Sequence, residues 1–166
     1  MKKLFLMGRS EAGKTSIMQA LKGEKLHYEK TQLSIAQDDI IDTPGEYSES
    51  KYLGTSLACF SFEADCIAIV CAADEPFCVF MSDIQSFNNR QLIGIITKIN
   101  SPIANVPMVR RWLENCGCQE IFLVDNNTGE GIDKLQAYLD IDTEKITLEE
   151  AKKRQAAGNF DWFPVK

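Results

Sequence analysis

A chain of 166 residues is one domain's worth and can bury about two-thirds of its unfolded surface, so it needs no disulfide staple. Its 45% hydrophobic and 25% charged residues fit a packed globular domain and exclude a disordered one. A net charge of −6 excludes a broad nucleic-acid or anionic-membrane surface, which needs clustered Lys and Arg, but it leaves room for a local phosphate site. The longest apolar stretches, such as Cys66 to Ala73, fall far short of the ~20 residues that span a bilayer.

The apolar start Met1 to Met7 is broken by Arg9, Glu11 and Lys14 before a signal peptide's apolar stretch is complete, which points to a cytoplasmic protein. Six cysteines, Cys59, Cys66, Cys71, Cys78, Cys116 and Cys118, lie mostly inside apolar segments and read as buried thiols. Cys116 and Cys118 are the two for which a redox or metal role stays open.

In chain order, strand-length apolar runs alternate with helical periodicity, the signature of a mostly parallel sheet covered on both faces. Lys3 to Met7 reads as a strand, a Gly-rich loop follows, and Lys14 to Lys22 reads as a helix. Glu24 to Lys30 is polar and carries His27, the only histidine, which reads as a surface residue. Leu33 to Ala36 and Asp39 to Ile41 form a short strand pair, the second ending at Asp42. A turn-rich stretch from Thr43 to Ser48 leads to a helix from Ser50 to Phe62. Then come a strand, Cys66 to Ala72, a poorly patterned helix, Val79 to Asn88, and an Ile-rich strand, Leu92 to Thr97. Val106 to Cys116 is an amphipathic helix with Val109, Trp112, Leu113 and Cys116 on its core face, ended by Gly117. Glu120 to Val124 is the last strand and Ile132 to Leu139 the last core helix.

From Asp140 the composition changes. Thr147-Leu148-Glu149-Glu150 is a capping-box start for a helix reaching Gly158, and Phe160, Trp162 and Phe163 form an aromatic tail that either folds back or binds something. The division is therefore 1–139 as the core domain and 140–166 as a helical and aromatic extension.

The strongest motif is Gly8-Arg9-Ser10-Glu11-Ala12-Gly13-Lys14-Thr15, which satisfies G-x-x-x-x-G-K-S/T between a strand and a helix. Glycines let the backbone curl so that N–H groups face a phosphate at a helix N-terminus, Lys14 reaches the β- and γ-phosphates, and the Thr15 hydroxyl is a Mg2+ ligand. Ser16, in the first helical turn, completes the phosphate-binding set. Asp42-Thr43-Pro44-Gly45 ends an apolar strand, where a carboxylate can hold Mg2+ through water and the Gly45 N–H can meet a γ-phosphate.

With these motifs in place, the chain resembles the TRAFAC-class GTPases. Thr97-Lys98-Ile99-Asn100 stands in the base-reading position and Asn126-Asn127-Thr128-Gly129-Glu130-Gly131-Ile132 in that of the last base loop. The resemblance implies a three-layer P-loop NTPase fold of the Ras-like type over about Lys2 to Leu139. It is closer still to the EutP/PduV family of ethanolamine and propanediol utilisation, on Met7 to Thr15, Lys30-Thr31-Gln32 and Ile41 to Tyr47. That family is associated with bacterial microcompartments, whose shell or enzyme proteins become candidate partners, and acetate kinase activity has been attributed to some members. Thr31 matches the family's switch threonine, which implies a second hydroxyl ligand to Mg2+.

Glu46 stands where many relatives carry a water-orienting Gln, and it is read either as a base or as a solvated acid. Asn100 stands where a GTPase has Asp. An amide offers one oxygen and a donor NH2 in place of two acceptors, so GTP, XTP and ATP all stay open, with xanthine suiting Asn100 better than guanine. The expected cofactors are Mg2+ and a nucleoside triphosphate. The reading is an enzyme or switch that cleaves or transfers the γ-phosphate, with an acetate kinase or a non-catalytic nucleotide-binding scaffold as alternatives.

Overall fold

Strand β1, Leu4–Gly8, is buried along its whole length, with Leu4 and Leu6 on one face of the sheet and Phe5 and Met7 on the other. A strand apolar on both faces is stable only between two covering layers, and that requirement dictates the architecture. The computed structural model describes residues 2–23, 35–37, 40–43, 63–80, 82, 84 and 89–140. After β1 come helix α1, Lys14–Leu21, and strands β2, Ile35–Gln37, β3, Ile40–Asp42, β4, Cys66–Ala72, and β5, Gln91–Thr97. Helix α2, Val106–Cys116, strand β6, Glu120–Leu123, and helix α3, Ile132–Asp140, complete the described core.

The six strands lie in the order β2-β3-β1-β4-β5-β6. Only β2 runs antiparallel, paired with β3, and the other five are parallel. On one face Phe5, Ile41, Ile69, Leu92 and Ile96 pack under Val109, Leu113 and Cys116 of α2. On the other, Leu4, Leu6, Ile40, Val70 and Ile95 pack under Ile17 and Met18 of α1 and Leu135 and Leu139 of α3. The result is the three-layer α/β/α arrangement expected from the alternating pattern. No helix among the described residues is long and apolar enough to cross a membrane.

Element boundaries move by a residue or two. Strand β1 extends to Gly8, α1 stops at Leu21, and β6 stops at Leu123. The strand pair is shifted to Ile35–Gln37 and Ile40–Asp42, with Ile35 opposite Asp42. Helix α2 keeps its expected bounds for two reasons. The Asn105 side chain accepts the Met108 N–H at 3.2 Å, and Gly117 closes the far end in a left-handed conformation. Its face is as anticipated, with Trp112 half-buried beside the core. The helix expected from Val79 does not begin there, since Val79 and Phe80 are non-helical, and most of the rest of that stretch lies outside the described residues. Also outside them are the polar segment 24–30 with His27, the stretch 44–50, the whole of the helix expected at Ser50 to Phe62, with Cys59, and the extension beyond residue 140.

Leu113 is fully buried between α2 and the sheet. Leu113→Ala is expected to cost about 2–5 kcal/mol of unfolding free energy, measured by urea denaturation, because the site collapses only partly around the lost methyls.

Candidate functional site

The parallel strands end together on one edge. Gly8 is level with Val70, Leu6 with Asp42, and Ala72 with Thr97, so the C-terminal ends of β1, β3, β4 and β5 lie along one edge of the sheet. Strand β1 is also where the chain order switches sides, with β3 on its left and β4 on its right, and such a switch point opens a crevice beyond the strand ends. The Gly8–Thr15 loop fills it. A Cβ on Gly8 would lie 2.3 Å from the Val70 carbonyl oxygen, so the chain leaves β1 here only as glycine. Glu11 and Gly13 take left-handed backbone (φ 63° and 94°) on either side of Ala12, the alternation that gathers N–H groups into an anion-binding nest.

Helix α1 starts immediately after Gly13, with no side chain capping it, so the positive end of its dipole lies at the loop. Lys14 is 5% exposed, and its Nζ donates to the carbonyl oxygens of Gly8 at 2.9 Å and Arg9 at 2.8 Å. Ala12 is buried, Ser10 and Ser16 are half-buried, and Glu11 is exposed.

The Thr15 hydroxyl donates to Asp42 Oδ2 at 2.7 Å. Asp42 is fully buried at the end of β3, and Thr43 beside it donates its hydroxyl to the Leu6 carbonyl at 2.8 Å. A hydroxyl and a carboxylate this close are hard oxygen donors of the kind Mg2+ takes, the first as a direct ligand and the second through one of the ion's waters. No group of three or more His, Cys, Asp or Glu able to hold a metal occurs among the described residues. Cys116 and Cys118 are buried and in no disulfide, and burial pushes the Cys118 thiol up to about 12, as it does Cys66.

The segment expected to read the base also braces the phosphate loop. Thr97 is fully buried and donates its hydroxyl to the Ala12 carbonyl at 2.6 Å, so it holds the phosphate loop in place. Lys98 has a left-handed backbone (φ 52°), and its ammonium lies 3.7 Å from Asp74. Asn100 is exposed and donates its amide to Asp125 Oδ2 at 3.2 Å and Glu130 Oε2 at 3.4 Å. From the other side Asn126 donates to the Gly13 carbonyl at 3.3 Å. The Asn127 N–H donates to Asp125 Oδ1 at 2.9 Å, inside a loop closed by the Asp125 N–H on the Glu130 carbonyl. Burial alone would raise the Asp125 pKa, but the N–H groups of Thr128 and Asn127 and the Asn100 amide outweigh it, holding the carboxyl below its ordinary value.

Three of the expected residues, Thr31, Gly45 and Glu46, lie outside the described residues. Sequence reasoning also passed over two residues. Glu75, just past β4, is buried with Oε1 accepting the Ala72 N–H at 2.9 Å, while Oε2 has no hydrogen-bond partner among the described residues. Burial raises its pKa, against the opposing Ala72 N–H and Arg9 charge. Phe77 carries the Arg9 guanidinium over its ring at 4.7 Å. The only sequence signal for either is an acidic pair, Asp74-Glu75, directly after a fully apolar strand.

A nest between β1 and α1, a buried lysine in it and a hydroxyl–carboxylate pair beside it, all on the edge of this sheet, define a P-loop NTPase fold. A solved structure of Methanosarcina barkeri Roco2 RocCORdC bound to GDP superposes with a TM-score of 0.57 at 19% identity, over 83% of this chain and 47% of that one. This chain thus spans less than half of that structure's length, and the likeness is one of fold.

The chain belongs to the family described as ethanolamine utilisation - propanediol utilisation, whose model matches residues 1–141. It is 39% identical to the propanediol utilization protein PduV of Citrobacter freundii, over 84% of this chain and 93% of that one. It is 28% identical to the probable acetate kinase EutP of Escherichia coli and 30% identical to that of Salmonella typhimurium, each over 84% of this chain and 89% of theirs. The family resemblance drawn from Met7 to Thr15, Lys30-Thr31-Gln32 and Ile41 to Tyr47 is thereby confirmed.

Because the folded Asp125 titrates below the usual 3.8, its ionised form contributes stability that is complete above about pH 5 and is lost as pH falls below 3.8 toward the lowered value. Urea denaturation of wild type and Asp125→Asn across pH 3 to 7 is expected to show a constant gap in stability at the upper end that narrows on acidification.

Proposed function

We propose that this protein binds a nucleoside triphosphate with Mg2+ on the Gly8–Thr15 loop and hydrolyses or transfers the γ-phosphate, in the service of ethanolamine or propanediol utilisation in the bacterial cytoplasm. The observation that carries the proposal is the conjunction of the buried Lys14 ammonium inside the loop with the Thr15–Asp42 pair 2.7 Å apart beside it. Lys14 would exchange loop carbonyls for β- and γ-phosphate oxygens, a stronger charge-assisted partnership. Gly8 to Ser16 would supply N–H groups and hydroxyls along the phosphates, and Gly45 a further N–H at the γ-phosphate.

Thr15 and Thr31 would ligand Mg2+ directly and Asp42 through water; the ion would neutralise charge between the β- and γ-phosphates. Glu46 would take a proton from the attacking nucleophile, and Thr97, Lys98, Asn100, Asn126 and Asn127 would frame the base. Docking to shell or enzyme proteins of a microcompartment through residues 140–166 belongs to the same proposal.

A second reading, phosphoryl transfer to acetate, is favoured only by the names of the two EutP relatives. It shares every step up to the acceptor. Coupled detection of acetyl phosphate from ATP and acetate decides it, and none formed by protein that binds nucleotide would remove it.

Isothermal titration with GTP, ATP and XTP in Mg2+ is expected to show binding of at least one of them, and no binding of any would overturn the proposal. Lys14→Ala is expected to weaken that binding by roughly 10- to 100-fold, the worth of one charge-assisted contact, with the chain still folded by circular dichroism. Thr15→Ala is expected to weaken binding in Mg2+ and to leave binding in excess EDTA unchanged. Equal loss in both conditions would separate Thr15 from the metal.

A further inference from the structure

In sequence the cysteines read as buried thiols spread over separate apolar runs, but in the fold three of them meet. Cys71, near the end of β4, and Cys116, the last residue of α2, are each 1% exposed and belong to one core cluster. Cys78 packs against that cluster from the segment that follows β4, and of the three it alone is only half-buried. The thiols of Cys116 and Cys71 both hydrogen-bond to the Cys78 sulfur. Positions 71, 78 and 116 thus bring their sulfurs to one place, where the core meets solvent. No group of three or more His, Cys, Asp or Glu able to hold a metal occurs among the described residues, which leaves these sulfurs to thiol chemistry.

Donors aimed at a sulfur favour its ionised form, as they do for a carboxylate. Cys116 first, and then Cys71, hold the Cys78 thiol below its ordinary value against the burial that raises it, while Cys71 is pushed up by the same contact. The thiolate is the nucleophile in sulfur exchange, so the sulfur that ionises is also the one that solvent reaches. A disulfide would draw its two sulfurs to about 2.05 Å, and the two buried neighbours differ in how easily they follow. Cys71 is locked inside β4, between the Val70–Ile95 and Ala72–Thr97 pairs of a central strand. Cys116 ends a helix, ahead of the left-handed Gly117, where the chain can give.

We infer that Cys78 is a thiol-modification site and forms a reversible redox pair with Cys116: Cys78 attacks an oxidant, and Cys116 resolves the adduct into an intramolecular disulfide. The oxidant class is a low-molecular-weight disulfide, RSSR. The Cys78 thiolate bonds to one of its sulfurs, the RS–SR bond breaks, and one RS− leaves. The Cys116 sulfur then bonds to the Cys78 sulfur, and the second RS leaves with the Cys116 proton as RSH. Two cysteines are oxidised to one disulfide, and RSSR is reduced to RS− and RSH. In a thiol-buffered compartment such a pair stays reduced and closes only when RSSR rises. The inference does not depend on nucleotide binding.

The test treats folded wild type, Cys78→Ser and Cys116→Ser with hydroxyethyl disulfide at neutral pH, blocks the remaining thiols with iodoacetamide and maps the peptides by mass spectrometry. Wild type is expected to yield the Cys78–Cys116 linked peptide with no adduct retained on Cys78, and dithiothreitol to reverse it. Cys116→Ser is expected to keep the hydroxyethylthio group on Cys78, because attack survives and resolution is lost. In Cys78→Ser, Cys71 and Cys116 are expected to react about tenfold or more slowly than Cys78 does in wild type, since both are buried. Cys78 left unmodified in wild type, Cys78 linked to Cys71 in place of Cys116, or a Cys116→Ser variant that retains no adduct on Cys78 would overturn the inference. The wild-type map decides it even where a variant fails to fold.

Discussion

A buried ammonium has to be compensated, and the site takes its shape from how Lys14 meets that demand. With 5% of its surface exposed, Lys14 cannot rely on water, and the carbonyls of Gly8 and Arg9 bend round to meet its Nζ. Carbonyls pointing inward to the lysine require the intervening peptides to turn over. The left-handed Glu11 and Gly13 are where that happens. A loop built to solvate a cation with its own oxygens is one that a polyanion can re-solvate better, and this links the fold's energetics to a phosphate ligand.

The loop does not hold that shape alone. Three separate strands brace it: Thr97 at the end of β5 on the Ala12 carbonyl, Asn126 beyond β6 on the Gly13 carbonyl, and Asp42 at the end of β3 on the Thr15 hydroxyl. Each brace comes from a different parallel strand, so the relative heights of the strand ends are transmitted directly to the loop. The fully buried register of β1 against β4, with no room for a side chain at Gly8, fixes the remaining side. Residues that look like base readers in sequence are thereby seen to be partly architectural, Thr97 above all.

How much of this was legible in the sequence divides along a physical line. Covalently local features were readable. The apolar runs of β1, β4 and β5, the capped α2 with Gly117 behind it, and the G-x-x-x-x-G-K-T spacing each carry their cause within a few residues. Features made by contacts distant in sequence were not. Glu75 and Phe77 gain their significance from Arg9, which sits 66 and 68 positions earlier, and no periodicity announces that. Strand ends slid by one or two residues because the pairing partner, not the strand itself, decides where a ladder stops. The misjudged helix start at Val79 follows a stretch with weak patterning, where propensity had nothing to set against the tight turn after β4.

Asn100 shows why the last kind of reading needs the fold. The chemistry of a side chain is not a property of its type once its polar atoms are already engaged. An amide whose NH2 is held by two carboxylates differs from an amide in water as much as from an aspartate. Twenty-five and thirty positions separate Asn100 from Asp125 and Glu130, and only the parallel pairing of β5 with β6, Ile96 level with Leu123, brings their loops together.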